Sequence, residues 1–156
     1  MCTELAEHVV GQLAARGQKL SLAESCTGGR VAAAITGIAG ASEVFVGGVV
    51  AYSNAAKAQL LAVDWATIDT HGAVSEQTAH EMAVNTQVVF RTDYAIAVTG
   101  IAGPTGGSKE KPVGLVYLGI ATPDGVGTIQ LQLSGERGEI QRQATARALE
   151  ALLERM

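Results

Sequence analysis

The chain has 156 residues, of which 47% are hydrophobic and 4% aromatic, and carries a formal net charge of −4. That length suits one compact α/β domain over residues 1–156 with a core of Ala, Val, Leu and Ile, and a charge free of like-signed runs excludes the basic footprint of a nucleic-acid binder. No apolar stretch is long enough to span a bilayer, no secretory signal opens the chain, Cys2 and Cys26 are too few for a disulfide framework, and His8, His71 and His80 lack metal-ligand spacing. The expectation is a cytoplasmic protein with no nucleic acid, no membrane, no metal and no cofactor.

Residues 3–16 read as a helix with Leu5, Val9, Val10 and Leu13 on one face. Lys19 to Ala23 reads as a short strand, which runs through Glu24-Ser25-Cys26-Thr27-Gly28-Gly29 into an alanine-rich helix near Gly29 to Ile38, ended by Gly40. Val44 to Tyr52, rich in valine and broken by Gly47-Gly48, predicts a strand or strand pair with a bulge or bend. Asn54 opens a short helix to about Ala62, and Asp64 to His71 reads as a turn or irregular segment. Ser75 caps a helix to about Phe90, with Glu76 in its first turn and Ala79, Met82, Ala83 and Phe90 as its buried stripe.

Tyr94 to Thr99 predicts a buried strand, followed by a glycine-rich loop from Gly100 to Lys111. Val113 to Ala121 and Val126 to Leu133 read as strands joined by the turn Pro123-Asp124-Gly125. A last helix covers about Glu139 to Leu153, with Ile140, Ala144, Ala148 and Leu152 on one face. Early alternation of strand and helix with a late hairpin predicts an α/β fold whose mixed sheet is covered by helices on both faces. Thr-Gly-Ile-Ala-Gly occurs at 36–40 and 99–103, but one copy ends a helix and the other follows a strand, so it is not a repeat.

Four stretches could carry chemistry. A serine on the turn Ser25 to Gly29 is exposed for attack, with helix-start N–H groups to stabilise an oxyanion; Ser25 or Thr27 acting simply as an N-cap fits the spacing equally well. With Asn54 as N-cap, Lys57 lies in the first helical turn, where the helix dipole and burial favour the neutral amine, a base for a serine; a solvated helix lysine is the alternative. Tyr52 divides in the same way between core packing and hydrogen bonding to a site. The loop with Gly100, Gly103, Gly106 and Gly107 offers backbone N–H groups to an anion, or is a flexible surface loop. Arg137 and Arg142, near the start of the last helix, suit a phosphate or a solvated face. Cys26 is a rival nucleophile if a helix N-terminus lowers its pKa, or a small, partly buried side chain.

Together these stretches resemble the CinA C-terminal family, the nicotinamide mononucleotide deamidases. The resemblance rests on Ala23 to Gly29, Tyr52-Ser53-Asn54 with Lys57, His71 to Glu76, Gly100-Ile101-Ala102-Gly103-Pro104 through Gly107, Lys111 to Gly114, and Ser134-Gly135 with Arg137. It implies a three-layer α/β/α sandwich, without the larger N-terminal domain to which the family is often fused. It also implies hydrolysis of nicotinamide mononucleotide to nicotinic acid mononucleotide and ammonia by a Ser/Lys dyad. Carried onto this chain, Ser25 is the nucleophile, Lys57 the base and Tyr52 an assistant, with Ser42 and Ser53 as other serines near family motifs. The expected substrate contacts are Thr27, Gly28, Gly29, Asn54, Thr99, Gly100, Gly103, Gly106 and Arg137. The partner is a small-molecule nucleotide, and a homo-oligomer is expected. Ala55, Ala41-Ser42 and Gln141 depart from the family pattern, and Gln141, where a basic residue is common, puts one phosphate contact in doubt. The alternative class is a nucleotide-binding or regulatory module without catalysis.

Overall fold

The structure, a computed structural model, describes residues 2–156. Its strands are β1 (Leu20–Glu24), β2 (Phe45–Val50), β3 (Tyr94–Gly100), β4 (Leu115–Thr122) and β5 (Gly125–Gln132). Its α-helices are α1 (Cys2–Arg16), α2 (Arg30–Thr36), α3 (Asn54–Leu61), α4 (Trp65–His71), α5 (Glu76–Phe90) and α6 (Arg137–Leu153). The strands form one sheet in the order β2-β1-β3-β4-β5. The first three are mutually parallel, and β4 and β5 run antiparallel as a hairpin. Helices α1, α2 and α6 cover one face and α3, α4 and α5 the other. The fold is therefore the expected α/β/α sandwich with a mixed sheet. No helix among the described residues is long and apolar enough to cross a membrane.

The two faces of the sheet differ in side-chain size because strand residues alternate sides. Toward α1, α2 and α6 it presents Leu20, Leu22, Ile96, Val98, Leu118 and Ile120, all buried. Toward α5 it presents Ala23, Ala95, Ala97 and Ala121. At Gly119 a Cβ would fall within the contact distance of the Ala79 carbonyl oxygen. Small side chains thus let the α5 backbone rest directly on the sheet.

Several expected boundaries shift for local reasons. Val44 to Tyr52 holds a single strand, β2. Its irregularity is a register shift where Leu20 pairs with Phe45 and Ser21 with Gly47. Gly47 is needed because a Cβ there would stand 2.7 Å from the Phe90 ring. Asp64 to His71 is the helix α4 rather than an irregular segment, and Asp64 caps it by accepting from Ala66 N at 2.9 Å. Helix α2 ends at Thr36, capped by Gly37, and a 3-10 turn at Ala41–Glu43 follows. Helix α6 begins two residues earlier than expected, after a capping box between Glu136 and Glu139.

Candidate active site

The C-terminal ends of the parallel strands deliver three segments to one edge of the sheet, where ligands bind in open α/β sheets. The turn from Ser25 follows β1, Ala51 to Asn54 follows β2, and the glycine-rich loop follows β3. Because Glu24 pairs with Val50 in the parallel register, residues far apart in sequence emerge side by side.

Ser25 Oγ and Lys57 Nζ lie 3.0 Å apart, with Ser25 7% and Lys57 2% exposed. The lysine also donates to the Ala51 carbonyl at 3.1 Å and, more weakly, to the Tyr52 carbonyl at 3.5 Å. No carboxylate among the described residues pairs with it. Burial holds its pKa below the usual lysine range, against a smaller opposing influence of Cys26. A neutral amine has two N–H bonds and one lone pair. The two carbonyls can take the N–H bonds and leave the lone pair for the Ser25 hydroxyl. Ser53 caps α3, accepting from Ala56 N at 3.0 Å. Asn54 is therefore the exposed first residue of the helix and not its cap, and Lys57 sits one position further along than expected.

Glu24, to which the sequence analysis assigns no role, organises the turn that carries Ser25. Its carboxylate is buried and accepts from the backbone N–H groups of Gly29, Val31 and Ala32 at 2.9–3.2 Å, so it satisfies the start of α2. Gly28 N donates to the Ser25 carbonyl. The amides of Gly28 and Gly29 are thus occupied. Those of Cys26 and Thr27 have no acceptor among the described residues. Thr27 itself is fully buried. The Cys26 carbonyl accepts from Gln141 Nε2 of α6 at 3.0 Å, and Gln141 is only 6% exposed. Gln141 is therefore turned inward onto the turn after β1, away from any solvent-facing phosphate contact. Burial pushes the Cys26 thiol up to about 11, so it is protonated at neutral pH and a poor nucleophile. The expected lowering of its pKa by the helix start is not found.

Arg137 joins two segments near Ser25 and Lys57. One guanidinium nitrogen donates to the Gly103 carbonyl at 2.7 Å and the other to the Tyr52 hydroxyl at 2.9 Å. The Tyr52 phenol thus points to Arg137, and only its backbone carbonyl meets Lys57. A cleft of about 200 Å³ is lined by Cys26, Tyr52, Gly100 to Gly103, Thr105, Gly106 and Arg137. A hollow of about 580 Å³ shares Ala102 and Arg137 with it. The wall of the smaller cleft includes Cys26, the neighbour of Ser25. Thr99 is buried and donates to the Ala73 carbonyl at 2.7 Å, fixing the loop after β3 to the α4–α5 connection. Lys111 anchors the same loop through the carbonyls of His71 and Val74.

Tyr52, Gly100, Gly103, Gly106 and Arg137 line one cleft with Cys26; Ser25 and Lys57 meet beside Cys26, Thr27 and Thr99 are buried, and Asn54 lies at the exposed start of α3. Glu24 and the Ala51 carbonyl have no role in the sequence analysis, although Glu24 stands just before a helix start. Gln141 stands out in sequence only as a departure where a basic residue is common, and its contact with the Cys26 carbonyl is visible only in the fold.

A family model described as the CinA C-terminal domain matches residues 2–156. A protein of Escherichia coli K12 named nicotinamide-nucleotide amidohydrolase PncC is 51% identical over 150 residues, covering 96% of this chain and 91% of that protein. A CinA-like protein of Prochlorococcus marinus is 49% identical over 150 residues, covering 95% of this chain; this chain spans 36% of that relative's length. The crystal structure of the competence/damage inducible protein CihA from Agrobacterium tumefaciens superposes with a TM-score of 0.96 at 44% identity, covering 98% of this chain and 94% of that one.

Proposed function

The chain belongs to the CinA C-terminal domain family, and from that premise we propose that it is an amidohydrolase converting nicotinamide mononucleotide and water to nicotinic acid mononucleotide and ammonia, with Ser25 as nucleophile and Lys57 as base. The substrate is supported by likeness along most of both chains to a relative named for that amide hydrolysis. The mechanism is carried by one observation, the buried Lys57 amine 3.0 Å from Ser25 Oγ with no carboxylate to hold it charged.

Neutral Lys57 takes the Ser25 proton as Oγ bonds to the carboxamide carbon. The acceptor-free amides of Cys26 and Thr27 receive the developing oxyanion. Lys57 returns its proton to the departing nitrogen, which leaves as ammonia and gives a Ser25 ester. Water, deprotonated by the same amine, then releases the carboxylate. Arg137 and the N–H groups of the loop from Gly100 to Gly106 hold the phosphate, with Asn54 at the rim. The neighbouring hollow, about 580 Å³, is of the size that small ligands occupy, roughly 300–1,000 Å³. The reading is of a cytoplasmic homo-oligomer that uses no metal or cofactor.

The test is ammonia release from nicotinamide mononucleotide in the presence of a chelator, for wild type, Ser25→Ala and Lys57→Ala. Each substitution is expected to lower turnover by about 10³-fold or more while the protein stays folded. Turnover retained by Ser25→Ala would move the nucleophile elsewhere. Nucleotide binding by folded wild type without ammonia release would make the chain a binding module.

A further inference from the structure

We infer that Gln141 is a positioning residue that aims the oxyanion-binding amide of Thr27, an inference that rests on the Ser25 mechanism proposed above. The Cys26 carbonyl and the Thr27 N–H belong to one peptide unit. That unit is trans, since the cis peptide bond among the described residues is Gly103–Pro104. In a planar trans peptide the C=O and N–H point in opposite directions, so a partner that fixes one end fixes the other. Gln141 Nε2 holds the carbonyl end at 3.0 Å in a buried setting. At the opposite end the Thr27 N–H has no acceptor among the described residues, although Thr27 is fully buried.

Buried backbone N–H groups are nearly always paired. An unpaired one, two residues after the nucleophile and aimed by a buried amide on another helix, matches what a tetrahedral intermediate requires: a donor already oriented where charge develops. The hydrogen bond at the carbonyl also polarises the peptide and strengthens its N–H as a donor. Helix α6 serves both ends of the site, because Arg137 and Gln141 are four residues apart and share a helix face. Arg137 meets the mouth of the cleft and Gln141 the turn beneath it.

Two rates read this directly: phosphonylation of Ser25 by a fluorophosphonate, followed by intact mass, and kcat for ammonia release. Gln141→Leu removes the donor, Gln141→Met removes it at nearly constant length, and Gln141→Arg keeps N–H donors. Both donorless variants are expected to be slower by about 10–100-fold in phosphonylation and in kcat, with KM within about 3-fold of wild type and Gln141→Arg close to wild type. A merely structural role would move KM and the unfolding midpoint together and would not be rescued by Gln141→Arg. Wild-type rates in folded Gln141→Leu and Gln141→Met overturn the inference and leave the deamidase intact. The expected phosphonylation pattern in a protein that releases no ammonia supports the inference and sinks the deamidase. A wild-type Ser25 inert to the probe overturns both.

Discussion

Lys57 is a buried amine facing two carbonyls and a hydroxyl, and its pKa is depressed by burial. The base form is the deprotonated one, so kcat/KM for ammonia release is expected to rise with pH. Its midpoint should lie below the ordinary lysine value of 10.5, and the rate should then level off. The same shift has a consequence for stability. Between the lowered folded value and 10.5 the unfolded chain binds the proton and the folded one does not, so stability rises with pH across that window. Below it the folded state bears the full cost of burying the charge. Lys57→Met is therefore expected to abolish turnover yet stabilise the fold at pH 7, by on the order of 1 kcal/mol. Urea unfolding should show that gain shrinking as pH approaches 10.5. A variant less stable than wild type at pH 7 would mean that the amine's hydrogen bonds outweigh its desolvation. Ser25 stands out in sequence because it sits at a strand-to-helix turn, and Lys57 because it falls near the start of a helix. Their approach does not stand out, since it depends on how β1 and β2 align.

At the scale of elements, α2 is a short helix started by a residue outside it. Gly29, in its N-cap position, has no side chain to cap with and a φ of 101°, which a residue with a Cβ rarely adopts. Glu24 supplies the acceptors from the end of β1. Glu24→Ala is expected to cost about 2–3 kcal/mol in urea unfolding and to lower kcat, because the released turn carries Ser25. Glu24→Gln keeps one carbonyl acceptor and should lose less. By contrast, α1 carries a glycine on its exposed face with nothing within 4 Å of a Cβ. Gly11→Ala should therefore stabilise by roughly 0.5–1 kcal/mol. Helices with clear apolar spacing, α1, α5 and α6, could be read from sequence to within about two residues. Helix α4 could not, because its residues Trp65 to His71 bury chiefly Ile68 and leave no periodic stripe to see; its one sign was the capping aspartate.

Across the whole molecule the two helical layers stand on unlike floors, a wide one of branched side chains and a tight one of alanine and glycine. A methyl group added on the tight side has nowhere to go. Gly119→Ala is expected to destabilise by about 1–3 kcal/mol, measured by the urea midpoint, because Cβ would collide with the Ala79 carbonyl and come within 2.9 Å of the Ala83 Cβ. Composition announced an alanine-rich core, but not that the alanines would gather on one face. That sorting follows from the alternation of sides along each strand, as in Ala95-Ile96-Ala97-Val98; which of two buried faces meets α5 is decided only by the fold.

Ser25 and Lys57 come from the first half of the chain, and Arg137 and Gln141, which contact the loop after β3 and the turn after β1, from the last helix. A ribosome extends the chain from one end at about 5–20 residues per second. Serine and lysine are therefore made seconds before the helix that frames them. Until α6 has emerged and docked against α1 and α2, the cleft lacks Arg137 and the turn after β1 lacks its contact with Gln141. Completion of the site therefore waits on the last helix to be made.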